Sequence, residues 1–212
     1  MHISNYVGCN GLYCPDVNHI GYLMPDIDIS PEQISVIMIS EAAPRNPADY
    51  YYASGDPLFQ KTTVQAFNDA GVNVSSVLEI LNRGIYLTTA VKCSKTEYGI
   101  KKDTISRCSM ILEQELALFP NVQVYLLMGD VAIMSFNYIA QRLGEKRVIP
   151  SGSTYKLRGG EYYFQGKRVL PSYLQAGPGF FIEKSKRKMI AEDITKALSL
   201  VTYNRLHGIK DP

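Results

Sequence analysis

A chain of 212 residues, 46% hydrophobic and 20% charged, holds enough apolar material for one sizeable core, and this composition excludes a disordered or fibrous protein. A net charge of +2 excludes a global field that would gather acidic partners, so any nucleic-acid contact must come from a local basic patch. The longest apolar runs, such as 122–128, are far too short to span a bilayer and the first ten residues are not a secretory leader, so a monomeric, cytoplasmic, one-domain chain over 1–212 is expected.

Residues 36–40 (VIMIS) form a short β-branched apolar run of the kind that makes a buried parallel strand. A loop rich in Pro, Ala and Tyr follows over 41–59, too irregular for helix or strand. Helical spacing predicts helices over 61–70 and 76–83, ended by Gly71 and Gly84. The run 85–91 (IYLTTAV) is a second strand. Asp103 and Thr104 are capping residues for a helix whose apolar positions run from Ile105 to Leu118. A third strand, 122–128 (VQVYLLM), turns at Gly129 into a helix over 131–143. A polar hairpin-like stretch at 155–166 leads into a short strand at 167–170, and a long basic helix over 184–201 closes the pattern. Strands alternating with helices predict an α/β fold of three layers, α/β/α, around a parallel sheet. Active groups in such sheets sit beyond the carboxyl ends of the strands, which selects the loops 40–59, 88–102, 129–130 and 171–181.

The four cysteines fall into two pairs, Cys9 with Cys14 and Cys93 with Cys108. A reducing cytosol disfavours structural disulfides, and isolated buried cysteines serve as small hydrophobes. Four cysteines, two of them in an N-terminal coil with little core of its own, point instead to a metal centre. All-thiolate ligation suits zinc or an iron–sulfur cluster, and spacing does not choose between them.

Five segments stand in order along the chain: 40–44 (SEAAP), 55–59 (GDPLF), 87–93 (LTTAVKC), 127–132 (LMGDVA) and 169–176 (VLPSYLQA). Together with Cys108 they resemble the motifs of the iron–sulfur uracil-DNA glycosylases, family 4 of the uracil-DNA glycosylase superfamily. The counterparts there read Gly-Glu-Ala-Pro-Gly, Gly-Arg-Pro-Phe, Thr-Asn-x-Val-Lys-Cys, a strand followed by Leu-Gly and Ala, and Val-x-Pro-x-Tyr-His-Pro-Ser. The resemblance implies a central four-stranded parallel sheet between helices, DNA as partner, and a [4Fe–4S] cluster on Cys9, Cys14, Cys93 and Cys108, with zinc as the alternative. The first cysteine pair here is separated by four residues where the family uses two.

Excising a base requires flipping it into a fitted pocket that stacks on the ring and reads its edge. Phe59 is the candidate stacking residue, with Tyr50, Tyr51 and Tyr52 competing for that role. Ala42 and Ala43 offer backbone N–H groups at the strand end. By its place in the first motif Glu41 is the candidate catalytic carboxylate, with Asp49 and Asp56 as substitutes; a lone Glu after a strand is otherwise a helix cap or a salt-bridge partner.

Two positions depart from the family pattern. Thr89 stands where an Asn amide reads uracil, and one hydroxyl cannot make that paired contact. Leu174 replaces the His that stabilises the leaving base, and His2, His19 and His207 fall in no motif. The loop 174–181 (LQAGPGFF) holds the position of the family's DNA-inserting loop, which makes Gln175 and Phe180 candidate DNA contacts, along with Leu174 and Phe181. Lys184, Lys186, Arg187 and Lys188 follow as candidate phosphate contacts. The competing reading places Phe180 and Phe181 in the core as anchors of the last helix. The expected function is hydrolysis of the N-glycosidic bond of a flipped deaminated base with altered specificity. The alternatives are a catalytically inactive nucleic-acid-binding protein on the same iron–sulfur scaffold and a hydrolase of free nucleosides.

Overall fold

The computed structural model describes residues 1–207 apart from Asn10, Leu12 and Tyr13. In chain order its elements are β1 (Val17–Asn18), β2 (Val36–Ala43), α1 (Leu58–Asp69), α2 (Val77–Asn82), β3 (Ile85–Lys95), α3 (Lys102–Leu116), β4 (Val124–Met128), α4 (Asp130–Arg142), α5 (Thr154–Leu157), β5 (Tyr162–Phe164), β6 (Lys167–Ser172), α6 (Gly179–Ile182) and α7 (Lys184–His207). The sheet order is β1-β3-β2-β4-β6-β5. The inner four strands, β3, β2, β4 and β6, are parallel, as the alternation of strands and helices predicts. Two short antiparallel strands extend this parallel centre at its edges: β1 pairs with β3, and β5 with β6. The tight β5–β6 hairpin turns through Gln165 and Gly166, at φ 49° and 76°, the positive pair that a two-residue turn of matching twist demands.

Side chains alternate across the central strands, so one sheet serves two cores. Ile37 and Ile39 of β2 pack with Ile105 and Leu112 of α3 and Ile133 and Phe136 of α4. Val36 and Met38 face the other way, against Phe67 of α1, Ile80 of α2, and Ile190 and Ile194 of α7. Each such side chain contributes roughly 1.5–3 kcal/mol when fully buried. Three layers result.

Buried polar ties fix the helices on the sheet. Glu115 of α3 is fully buried and accepts from Tyr86 Oη at 2.6 Å, from Thr88 Oγ1 at 2.8 Å and from Lys92 Nζ. Lys92, equally buried, also donates to Thr88 Oγ1 at 2.8 Å and to Thr89 O at 2.6 Å. On the other face Asp193 of α7 accepts from Ser172 Oγ of β6 at 2.6 Å and from Arg158 Nη2, just past α5, at 2.8 Å.

The connections decide where a ligand can sit. Neighbouring strands β2 and β4 run parallel, yet the chain leaves β2 toward α1 on one face and leaves β4 toward α4 on the other. Connections parting to opposite faces open a crevice beyond the carboxyl ends of those strands. The loop expected over 41–59 is more ordered than its composition suggests: β2 runs on to Ala43, and α1 begins at Leu58. No helix among the described residues is long and apolar enough to cross a membrane.

Candidate active-site cleft

A cleft of about 740 Å³ opens at this crevice. Its floor and one wall come from Glu41 to Asn46, Asp49, Leu58 and Phe59, its centre from Gly129 and Asp130, and its far wall from Tyr173, Leu174, residues 176–180 and the start of α7. Lys95, at the end of β3, closes the remaining side. The 41–59, 129–130 and 171–181 loops selected from the sequence thus meet at one site, and 88–102 reaches it through Lys95.

Glu41 lies at the centre. Its carboxylate accepts the backbone N–H groups of Asp130 and Val131 at the start of α4, so it caps that helix and faces the cleft at once. Gly129 makes this approach possible. Its φ is +100°, and a Cβ there would come 2.6 Å from Glu41 Oε1. Burial raises the Glu41 pKa above the ordinary carboxylate value, and the nearby Asp130 pushes the same way, against the two N–H groups and Lys95. Helix cap and cleft carboxylate, alternatives in the sequence, are one residue in the fold.

Ala42 and Ala43 line the cleft beside it, and Phe59 forms a wall with its ring 5.3 Å from that of Tyr51. Thr89 is placed differently from the expectation. It stands in register beside Ser40, but it is fully buried, does not line the cleft, and its Oγ1 has no hydrogen-bond partner. Ser40 in turn bonds Tyr51 Oη and donates to Gln175 Oε1 at 3.1 Å, and Gln175 Nε2 donates to Tyr51 Oη at 2.9 Å. Gln175 is therefore not a DNA contact. It is wholly buried with its amide committed to the protein.

The tyrosines are corrected in the same way. Tyr50 and Tyr51 are buried core residues. Tyr52 uses its hydroxyl to accept from Leu87 N at 3.1 Å and to donate to Leu87 O at 3.2 Å, covering the edge of β3 away from β2, which β1 reaches only at Ser94 and Lys95.

In the 174–181 loop the two readings divide between neighbours. Phe180 is buried against α7, so its expected role as a DNA contact gives way to the core reading. Leu174, Phe181 and Ile182 stand exposed at the rim. Arg187 is tied to Asp69 of α1, with Nη2 to Oδ1 at 2.7 Å, and lies over the Phe180 ring. Its guanidinium is committed to the fold, so the structure does not offer it as a phosphate contact. Lys186 pairs with Glu183 and sits 5.5 Å from the Tyr173 ring centroid, while Lys184 is exposed. Periodicity missed Arg45 and Tyr173, since nothing in an irregular segment shows which side chains turn toward a cleft, and missed Lys95 because β3 runs on past the predicted strand of 85–91.

The four cysteines, far apart in sequence, line one small pocket with Val17, His19, Tyr22, Val91, Thr104 and Ile111. Cys93 and Cys108 come from β3 and α3, whereas Cys9 and Cys14 come from the N-terminal segment that β1 holds to the sheet edge. Burial raises the thiol of Cys93 to about 12 and that of Cys108 to about 11, and Lys92 N donates to Cys108 Sγ at 3.3 Å. Four sulfurs around one apolar pocket fit a thiolate-bound centre in donor chemistry. Among the described residues, no group of three or more His, Cys, Asp or Glu side chains is arranged to hold a metal ion.

The chain is 29% identical over 119 residues to a type-5 uracil-DNA glycosylase of Thermus thermophilus, an overlap of 55% of this chain and 51% of that protein. The chain spans about half the length of that curated relative. Residues 28–191 match the family model of the uracil DNA glycosylase superfamily, a stretch that includes every residue lining the cleft together with Cys93 and Cys108. With that match covering the whole sheet except β1, the chain belongs to the uracil DNA glycosylase superfamily.

Proposed function

We propose that the cleft hydrolyses the N-glycosidic bond of a deaminated base flipped out of DNA, with a base preference different from that of uracil-specific relatives. The observation that carries this reading is the Glu41 carboxylate, pinned over Gly129 by two backbone N–H groups and facing a cleft walled by Phe59. Such a carboxylate holds a water for attack at the sugar carbon and balances the positive charge that grows there as the bond to the base breaks. The leaving base carries the electron pair of the broken bond as an anion. Lys95, which lines the cleft from the end of β3 with its Nζ donating to Tyr98 O at 2.9 Å, adds to the cleft a positive charge that Leu174 on the far wall does not. The buried Thr89, which presents no amide to the cleft, supports an altered preference, while Asn46 does stand on the cleft wall.

The same feature favours a second reading, a protein that binds DNA without cutting it. Duplex and single-stranded oligonucleotides carrying uracil, hypoxanthine or xanthine separate the two readings, with abasic product scored after alkaline cleavage. Product from one of these bases, lost in Glu41→Gln, is the expected result. Salt-sensitive binding with no product from any base would replace the glycosylase reading with the second one.

Kinship to the family 4 enzymes and a [4Fe–4S] cluster on Cys9, Cys14, Cys93 and Cys108 are part of this reading. Four thiols around one pocket, drawn from three separate segments, support it. The cluster would supply cross-linking between the N-terminal segment, β3 and α3 rather than chemistry at the cleft.

A further inference from the structure

We propose that Arg45, Lys95 and Tyr98 form a second nucleic-acid contact on the lip of the cleft opposite α6, holding the substrate strand on the far side of the flipped nucleotide. The inference rests on the glycosylase reading of that cleft. Tyr98 is 98% exposed, so its ring is a flat apolar face presented to water. The turn that carries it is nonetheless tied down. Lys95 Nζ donates to Tyr98 O at 2.9 Å and lies 5.6 Å from the centroid of its ring. Arg45 crosses from the loop after β2 and donates from Nη2 to Thr96 O at 3.1 Å, which sets a second cation on the same turn.

Both cations line the cleft, and the opposite lip repeats the arrangement with Lys186 beside Tyr173. Lys95 ends β3 with Tyr98 just beyond it, and Tyr173 follows β6 with Lys186 of α7 beside it, so β2 and β4 lie between the two pairs. Three strand spacings separate the two pairs, about 14 Å at the sheet, room for one everted nucleotide with a flanking phosphate on each side. In the Lys95–Tyr98 pair the ammonium suits a phosphate and the ring suits a base face, a combination that grips single-stranded nucleic acid without regard to sequence, while at the other lip Lys186 is already paired with Glu183 and Tyr173 offers its ring.

Fluorescence anisotropy on the full chain tests this, with a single-stranded oligonucleotide bearing a central abasic-site analogue as probe. Tyr98→Ala should weaken binding roughly tenfold and Tyr98→Phe should leave it intact, since the ring and not the hydroxyl makes the contact. Arg45→Gln should flatten the dependence of log affinity on log salt by about 0.7, the share of one phosphate contact on a single strand. Wild-type binding in Tyr98→Ala and Arg45→Gln, alongside weaker binding in Phe181→Ala, would overturn the proposal and leave the glycosylase reading standing. A loss in Tyr98→Phe as large as in Tyr98→Ala would overturn the stacking role. Failure of the unmodified protein to bind the probe at low salt would remove the glycosylase reading, and this contact with it.

Discussion

The Glu41 carboxylate meets two opposed influences, since burial favours its protonated form while the α4 N–H groups and Lys95 favour its ionised form. Burial prevails and the pKa is raised, so the acid limb of activity should lie above the ordinary glutamate value, and a kcat/KM profile against pH measures it. The effect on stability has the opposite sign to that of a salt-bridged carboxylate. A raised folded-state pKa means that Glu41 contributes stability below its unfolded pKa, and that this is lost as pH rises through the folded value. Glu41→Gln should therefore lower turnover by roughly 10²- to 10⁴-fold while leaving stability at neutral pH equal or higher. A matched loss of folding and activity would mean that the residue is a cap and nothing more. Gly129→Ala puts a methyl group on the carboxylate and strains a φ of +100°, which should cost about 1–3 kcal/mol in urea unfolding and displace Glu41.

Between elements, the buried Lys92–Glu115 pair joins β3 to α3. Removing one partner strands the other charge in the core, so Lys92→Met should cost about 3–5 kcal/mol, and adding Glu115→Leu should recover part of that loss. Strictly additive losses in the double variant would show that the two groups do not interact. At α6 two adjacent phenylalanines are expected to behave differently. Phe180→Ala should cost about 3–5 kcal/mol as a core truncation. Phe181→Ala, half-exposed at the rim, should leave unfolding unchanged and weaken DNA binding. The helical reading of 184–201 stopped short of the end of α7, which runs to His207.

Across the molecule, the N-terminal segment is held by Ile3 and Val7 in the core, by Met1 against Ile29, and by ties to β3 and α3. β1 adds two residues to the sheet edge, and Asp16 caps α3 by accepting Lys101 N at 2.5 Å. If Cys9 and Cys14 share a cluster with Cys93 and Cys108, Cys93→Ser should abolish the broad visible absorption of the purified protein. Amide exchange over residues 1–9 should accelerate in the same variant. A colourless wild-type protein with bound zinc would reassign the centre, and a Cys93→Ser variant with unchanged colour and exchange would remove Cys93 from the ligand set.

The amino-acid sequence by itself determined the layered α/β plan, because β-branched runs such as 36–40 and 85–91 bury both faces and alternate with amphipathic helices. It also determined which loops meet, since loops at the carboxyl ends of parallel strands are neighbours by construction. Only tertiary structure decided which side chains of those loops turn inward. Gln175 and Phe180 are packed in the interior while Leu174 and Phe181 beside them are exposed, and Thr89 is sealed behind the cleft beside Ser40. In an irregular segment no period assigns a face to a residue, so its direction depends on what the rest of the chain places against it.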